Sequence, residues 1–220
     1  MKYNISKYFF FFLLALFTTK VQAQDWVPLF HPDSLQSVHI VMDVMVYEKA
    51  TDKSPFFEGV AEVKRTATCY FSSFSGLEML MSDQYLIMTN LADRSISVSR
   101  RDKEGEQAFA KDMMSMLDSM LRTMSHPQKI EETGERVHYQ YIPVRGEIKV
   151  IDIYLSKADR KLQQITYRYE SGQFARTVFK KFETKAVFET SDISEARYFS
   201  SLTDKVTLQE RYTRFRVIWN

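Results

Sequence analysis

Residues 77–99 read LEMLMSDQYLIMTNLADRSISVS, and three short runs in it have strand character: Leu77 to Met81, Tyr85 to Thr89 and Ser95 to Ser99. They are separated by the turn pair Asp83-Gln84 and by Asn90 to Arg94, connections too short for anything but antiparallel neighbours. This is the pattern of a meander, and the sequence on both sides extends it.

Upstream, Val38, Ile40, Met42, Val44 and Val46 alternate with His39, Asp43 and Tyr47, so a strand with one apolar face is predicted from Val38. After the loop Lys49 to Pro55 a second alternating run is predicted from Val60 to Phe71, with Val63, Ala67, Cys69 and Phe71 on one side, able to pair with the first as a hairpin. Downstream, Gln107 to Met124 places Phe109, Met113, Leu117, Met120, Leu121 and Met124 at spacings of three, four and seven, an amphipathic helix that His126-Pro127 ends. Period two then returns at Val137 to Tyr141, Ile148 to Leu155, Leu162 to Glu170, Phe174 to Lys185 and Val206 to Trp219, with Ser171-Gly172 as a two-residue hairpin turn. The expected fold is mainly β, about ten strands interrupted by one central helix. No repeat, low-complexity tract or linker divides it.

Composition agrees. The chain has 220 residues, 45% hydrophobic and 26% charged, with six Gly and five Pro, which excludes collagen-like repeats and wholesale disorder and fits one domain. The N-terminus reads as a secretory signal: Lys2 and Lys7, the apolar run Tyr8 to Phe17, then Val21-x-Ala23 with small residues at the cleavage positions. Residues 1–23 are expected to be removed, leaving 24–220 as a single β-rich domain. A ten-residue apolar run is too short for a membrane span, which needs about 20 residues, so no integral span is expected in the mature chain. Lys2, Lys7 and Lys20 leave with the signal, so 30 basic and 28 acidic residues become 27 and 28, a net charge of −1. No basic block remains to suggest nucleic acid. The expected location is the periplasm, with secretion as the alternative.

Sites of chemistry are sparse. Glycines at 59, 76, 105, 134, 146 and 172 are too dispersed for a phosphate loop or a dinucleotide fingerprint. The four histidines have no metal-ligand spacing and Cys69 has no second thiol, so neither a metal nor a cofactor is expected. Cys69 itself is expected to be a small buried hydrophobe on strand two, and Asp43 and Asp83 to be solvated strand and turn residues. No nucleophile, base and orienting group can be assembled, so an enzyme is not expected. The helix holds Met113, Met114, Met116, Met120 and Met124. Thioethers pack against changing apolar shapes, which suits a lid over an apolar cavity; the alternative is a helix filling the end of a barrel as core.

The run Val63-Lys64-Arg65, sixteen residues, Ser82-Asp83 and then YLIMTNLADRSISVS resembles the outer-membrane lipoprotein carrier (LolA-like) family. So do IDIYL at 151–155, LQQIT at 162–166 and ARTVFKKF at 175–182, which look like the strands that close that family's barrel. The likeness runs from about Leu35 to Phe199. It implies a strongly curved antiparallel sheet forming an incomplete β-barrel with a helical lid, and a periplasmic carrier that shelters acyl chains in an apolar cavity. It also implies that Arg65 points into the cavity and bonds to the lid, although Thr66 stands where the family has proline; a solvated or salt-bridged arginine is the alternative. Ligand-contacting residues on this resemblance are Arg65, Phe109, Met113, Met116, Leu117, Met120 and Met124. The family's long N-terminal helix is not expected here, where Pro28 and Pro32 interrupt a short segment, and Val206 to Trp219 extends past the family's usual end. The competing function is a non-enzymatic sensing or docking module that binds a protein or envelope partner through Tyr212, Phe215 and Trp219.

Overall fold

The computed structural model describes residues 37–101, 128–143, 146–159, 161–201 and 206–220. The expected signal peptide and the helix Gln107 to Met124, with Phe109, Met113, Met116, Leu117, Met120 and Met124, lie outside the described residues.

Among the described residues twelve strands follow one hydrogen-bonded order, β14-β6-β5-β4-β3-β2-β1-β11-β10-β9-β8-β7, with β14 and β7 at its two ends. They are β1 (Val38–Tyr47), β2 (Phe57–Arg65), β3 (Tyr70–Phe74), β4 (Leu77–Met81), β5 (Tyr85–Asn90), β6 (Ser95–Arg100), β7 (Gln128–Glu132), β8 (Arg136–Tyr141), β9 (Ile148–Ser156), β10 (Leu162–Tyr169), β11 (Phe174–Thr184) and β14 (Arg216–Trp219). A small pair, β12 (Phe199–Ser201) and β13 (Thr207–Leu208), stands apart from that order. The described residues divide into two compact units, 37–47 with 52–101, 176–201 and 206–220, and 48–51 with 128–143, 146–159 and 161–175.

In the first unit, β1 pairs antiparallel with β2 from Val38↔Arg65 to Val46↔Phe57, the expected hairpin. The predicted run Val60 to Phe71 is two strands. Thr66 breaks it: its backbone N–H donates to Cys69 O at 2.8 Å, and its Oγ1 accepts from Cys69 N at 3.0 Å, closing a side-chain-assisted turn that reverses the chain. Cys69 is therefore a half-buried turn residue rather than a strand residue. The meander β4-β5-β6 forms as its alternation predicts, with Ser82 Oγ accepting from Tyr85 N at 3.2 Å across the first turn. Gly59 stands mid-strand between two rings, Phe57 and Phe74, whose centroids are 5.5 Å apart; a Cβ there would touch Phe74 at 3.4 Å.

The C-terminal segment departs from expectation. Val206 to Trp219 is not one strand but β13, a 3₁₀ turn Glu210–Tyr212 and β14. Phe215 N donates to Tyr212 O at 2.8 Å, which turns Tyr212 inward. Just before it come a one-turn helix, α1 (Thr190–Ile193), a 3₁₀ turn Glu195–Arg197 and β12, none of which period two can signal. Together they deliver Ile193, Tyr198, Phe199 and Tyr212 onto Phe71, Leu80, Ile87, Ile96 and Val98. These nine buried residues are the core of the unit. β14 then pairs with β6 in parallel, Arg216↔Ser95 to Trp219↔Val98, because the chain reaches that edge after crossing the sheet face rather than through a hairpin.

The second unit is a meander, β7 to β10. β7 was not expected: its Gln-Lys-Ile-Glu-Glu run is exposed throughout and carries no alternation to read. The turn to β11 has three residues, 170–172, not two, because Tyr169 N donates to Gln173 O at 2.9 Å and Gly172, at φ +86°, takes the left-handed position that glycine adopts without strain.

Leu80, fully buried at the centre of the core, is expected to lose about 2–5 kcal/mol of stability as Leu80→Ala. Val187→Ala, at a position 96% exposed, should change it by less than about 0.5 kcal/mol in the same urea titration.

A candidate apolar site on strands β4 and β5

Register alone sorts the side chains of β1 to β6, since partners across antiparallel strands share a face. One face carries three rows: Met42-Ala61-Phe74-Leu77-Asn90-Ser95, Ile40-Val63-Ser72-Met79-Met88-Ser97 and Val38-Arg65-Tyr70-Met81-Leu86-Ser99. The rows begin in packed core and end in the open. Met42 is 0% exposed, but Leu77 is 51% and Met88 55% exposed, with Met79, Met81 and Leu86 half-buried between them. The result is an apolar patch of five side chains, bounded on one side by Tyr70, Ser72 and Phe74 of β3 and on the other by Asn90 and the hydroxyls of Ser97 and Ser99.

Charge is sorted the same way. Asp43, Glu58, Glu62 and Glu78, all the carboxylates of β1 to β6, stand on the opposite face. There Glu62 has His39 Nε2 at 2.8 Å and Lys64 Nζ at 3.4 Å, and Asp43 has Lys180 Nζ at 3.0 Å. Glu78 is half-buried and bonded three times, by Arg197 Nη2 at 3.1 Å, Tyr198 OH at 3.0 Å and Tyr212 OH at 3.3 Å. Arg197 also lies over the Phe71 ring, 4.3 Å from its centroid. Burial and the neighbouring Glu78 charge push the Tyr212 hydroxyl up to about 12, so it stays a hydrogen-bond donor. This cluster fastens Arg197, Tyr198 and Tyr212 to the sheet on the face opposite the patch.

Arg65, the one predicted ligand-contacting residue among those described, is half-buried at the end of β2 and is the only charged strand residue of β1 to β6 on the apolar face. Tyr70 stands opposite it, its hydroxyl raised to about 12 by burial against the opposing influence of Ser72 and of the Arg65 charge. Of the three predicted docking aromatics, Tyr212 is 3% exposed, a core residue unavailable to a partner, and Phe215 packs against the same core. Trp219 is 48% exposed and meets Tyr85 edge-on at 6.4 Å. The patch itself was not singled out from the sequence. Its signal is the coincidence of Met79, Met81, Leu86 and Met88 on one face once the turns at 82–84 fix the register.

In the second unit, β8 to β10 have an apolar face (Val137, Tyr139, Ile153, Leu155, Ile165) and a polar one centred on Asp152. Asp152 Oδ1 lies 2.9 Å from His138 Nε2 and accepts from Gln140 Nε2 at 2.8 Å; Oδ2 accepts from Arg168 Nη2 at 3.0 Å and Thr166 Oγ1 at 3.3 Å. His138 stacks on Tyr154 with centroids 4.4 Å apart. With every oxygen lone pair engaged, the cluster is a cross-strand tie rather than a reactive centre. Among the described residues no group of three His, Cys, Asp or Glu side chains is placed to hold a metal ion.

No family model matches the chain, and no curated protein matches it. Solved structures similar to it include the lipoprotein LppX of Mycobacterium tuberculosis, at 10% identity and a TM-score of 0.40, covering 71% of this chain and 90% of that one. A LolA superfamily protein of Nitrosomonas europaea matches at 9% identity and a TM-score of 0.30, covering 76% and 93%. The MucA/MucB complex of Pseudomonas aeruginosa matches at 13% identity and a TM-score of 0.39; 78% of this chain covers 58% of that one. At these identities the likeness is one of fold alone.

Burial acts to raise the Asp152 carboxyl, but the bonds from Gln140, His138 and Arg168 outweigh it and hold the group below the ordinary carboxylate value. A group so depressed adds stability above its unfolded value of about 3.9 and loses that contribution as pH falls through the folded one. Urea midpoints taken from pH 7 downward should therefore drop below pH ~4, and Asp152→Asn, less stable at pH 7, should show a shallower acid drop than the wild type.

Proposed function

We propose that this protein is a non-enzymatic carrier of acyl-bearing molecules, lipids or lipoproteins, exported to the periplasm after loss of residues 1–23. One observation carries the proposal: among the described residues, Ile193, Tyr198, Phe199 and Tyr212 cover one face of β3 to β6, while on the other face the apolar patch has Leu77 and Met88 exposed and Met79, Met81 and Leu86 half-buried. Each acyl methylene removed from water there contributes about 0.8 kcal/mol, so a chain of ordinary length gains enough from burial without any catalytic group. Methionine supplies the adaptable contacts that a mixture of chain lengths requires. In this proposal Phe109, Met113, Met116, Leu117, Met120 and Met124, on the predicted helix 107–124, form the lid, and Arg65 stands at the buried end of the site.

A second function, docking of a protein or envelope partner, draws on β14, where Ile218 and Trp219 are exposed at the edge of the strand order. An apolar edge strand offers unpaired backbone groups for strand addition. Tyr212 has no part in it.

The two functions separate by experiment. Met88→Glu and Met79→Glu should each weaken binding of a fluorescent fatty acid by at least tenfold, about 1.4 kcal/mol, because a carboxylate would be desolvated by the ligand. Val60→Glu, on the opposite face at a position 60% exposed, should bind as the wild type does. Equal binding by all three folded variants, checked by circular dichroism, would exclude the patch as the site.

A further inference from the structure

Resting on the carrier reading, we propose that Met88, with Met79 opposite it, is an oxidation site through which peroxide lowers the affinity of the apolar patch. Three thioethers of the first unit illustrate why the site is selective. Met42 belongs to the same face but is 0% exposed, closed off by packing. Met45 is on the other face, and its sulfur accepts from Arg176 Nη2 at 3.4 Å and from Tyr47 OH at 3.8 Å, so its lone pairs are engaged. Met88 is 55% exposed, and its cross-strand partner is Met79, a second thioether.

The chemistry is a two-electron oxygen transfer. A sulfur lone pair of Met88 attacks one oxygen of hydrogen peroxide, the O–O bond breaks, and the second oxygen leaves as water after proton transfer; sulfur is oxidised to the sulfoxide and peroxide is reduced. A dithiol-dependent reductase reverses the step, yielding the thioether, a disulfide and water. The sulfoxide is a strong dipole and hydrogen-bond acceptor in the middle of the patch. Its flanking residues in the row are Met79 and Ser97, so one neighbour offers no donor at all. Acyl contact with the Met88 methyl would then require stripping water from the S=O group, an unfavourable exchange that the unoxidised thioether does not impose.

The test uses the purified full chain, graded hydrogen peroxide, peptide mapping by mass spectrometry and binding of a fluorescent fatty acid measured on the same samples. Met88 should oxidise before Met42 and Met45, and binding should fall at least tenfold in step with it. Met88→Leu, which has no sulfur to oxidise at that position, should keep after the same treatment the affinity it shows before it, each variant being compared with its own untreated sample. Oxidation of Met42 or Met45 before Met88 would overturn the inference, as would equal loss of binding in Met88→Leu. Failure of the unoxidised wild type to bind the probe would instead sink the carrier reading itself, and this inference with it.

Discussion

A pleated strand sends successive side chains to opposite faces, and in β3 to β5 both sets of side chains are largely apolar. Phe71, Leu80 and Ile87 point one way; Phe74, Leu77, Met79, Met88 and Leu86 point the other. Such a sheet needs cover on both sides, and the described chain brings its cover to one. Ile193, Tyr198, Phe199 and Tyr212 cover the face that holds Phe71, Leu80, Ile87, Ile96 and Val98, and with that placement go the parallel pairing of β14, the burial of Tyr212 and, among the described residues, the exposure of Leu77 and Met88.

The fastening of that cover is polar at its centre. Glu78 collects Arg197, Tyr198 and Tyr212, and Arg197 lies flat on Phe71. An ion pair shielded in this way adds little net stability over an apolar pair of the same shape, but its bonds are directional. Apolar residues alone would let the short, irregular pieces between Phe188 and Phe215 slide over the sheet. Three bonds to one carboxylate fix which residues meet it.

Strands with strict alternation and short turns were readable in the sequence: β1, β4, β5, β6, β8, β9, β10 and β11 are found where period two places them. The losses have local causes. Thr66 makes a turn through its hydroxyl inside an otherwise alternating run, and nothing in period two reports a side chain that bonds its own backbone. β7 is exposed on every residue and so has no apolar signature. In the C-terminal stretch, Val206 to Trp219 has the composition of a strand, but Tyr212 is drawn into a core assembled from residues more than a hundred positions upstream, a long-range demand that overrides local preference. The patch on β4 and β5 was half readable: its residues were recognised as strands, yet which face they share with Phe74 and Met42 depends on the register of five strands at once. Arg65 came from family resemblance alone; the register puts it on the apolar face, opposite Tyr70.

The central claim is that an acyl chain rests on the patch face of β4 and β5 and not on the face behind it. Methionine methyl resonances report this directly, since Met79 and Met88 stand on the patch face while Met45 lies on the other, bonded by Arg176 and Tyr47. With the methionine methyls labelled with ¹³C and a nitroxide-bearing stearic acid added, the account predicts strong paramagnetic broadening of Met79 and Met88 and an unchanged Met45 signal. Broadening of Met45 as strong as that of Met88, or no broadening at either patch methionine by a fatty acid shown to bind, would contradict it.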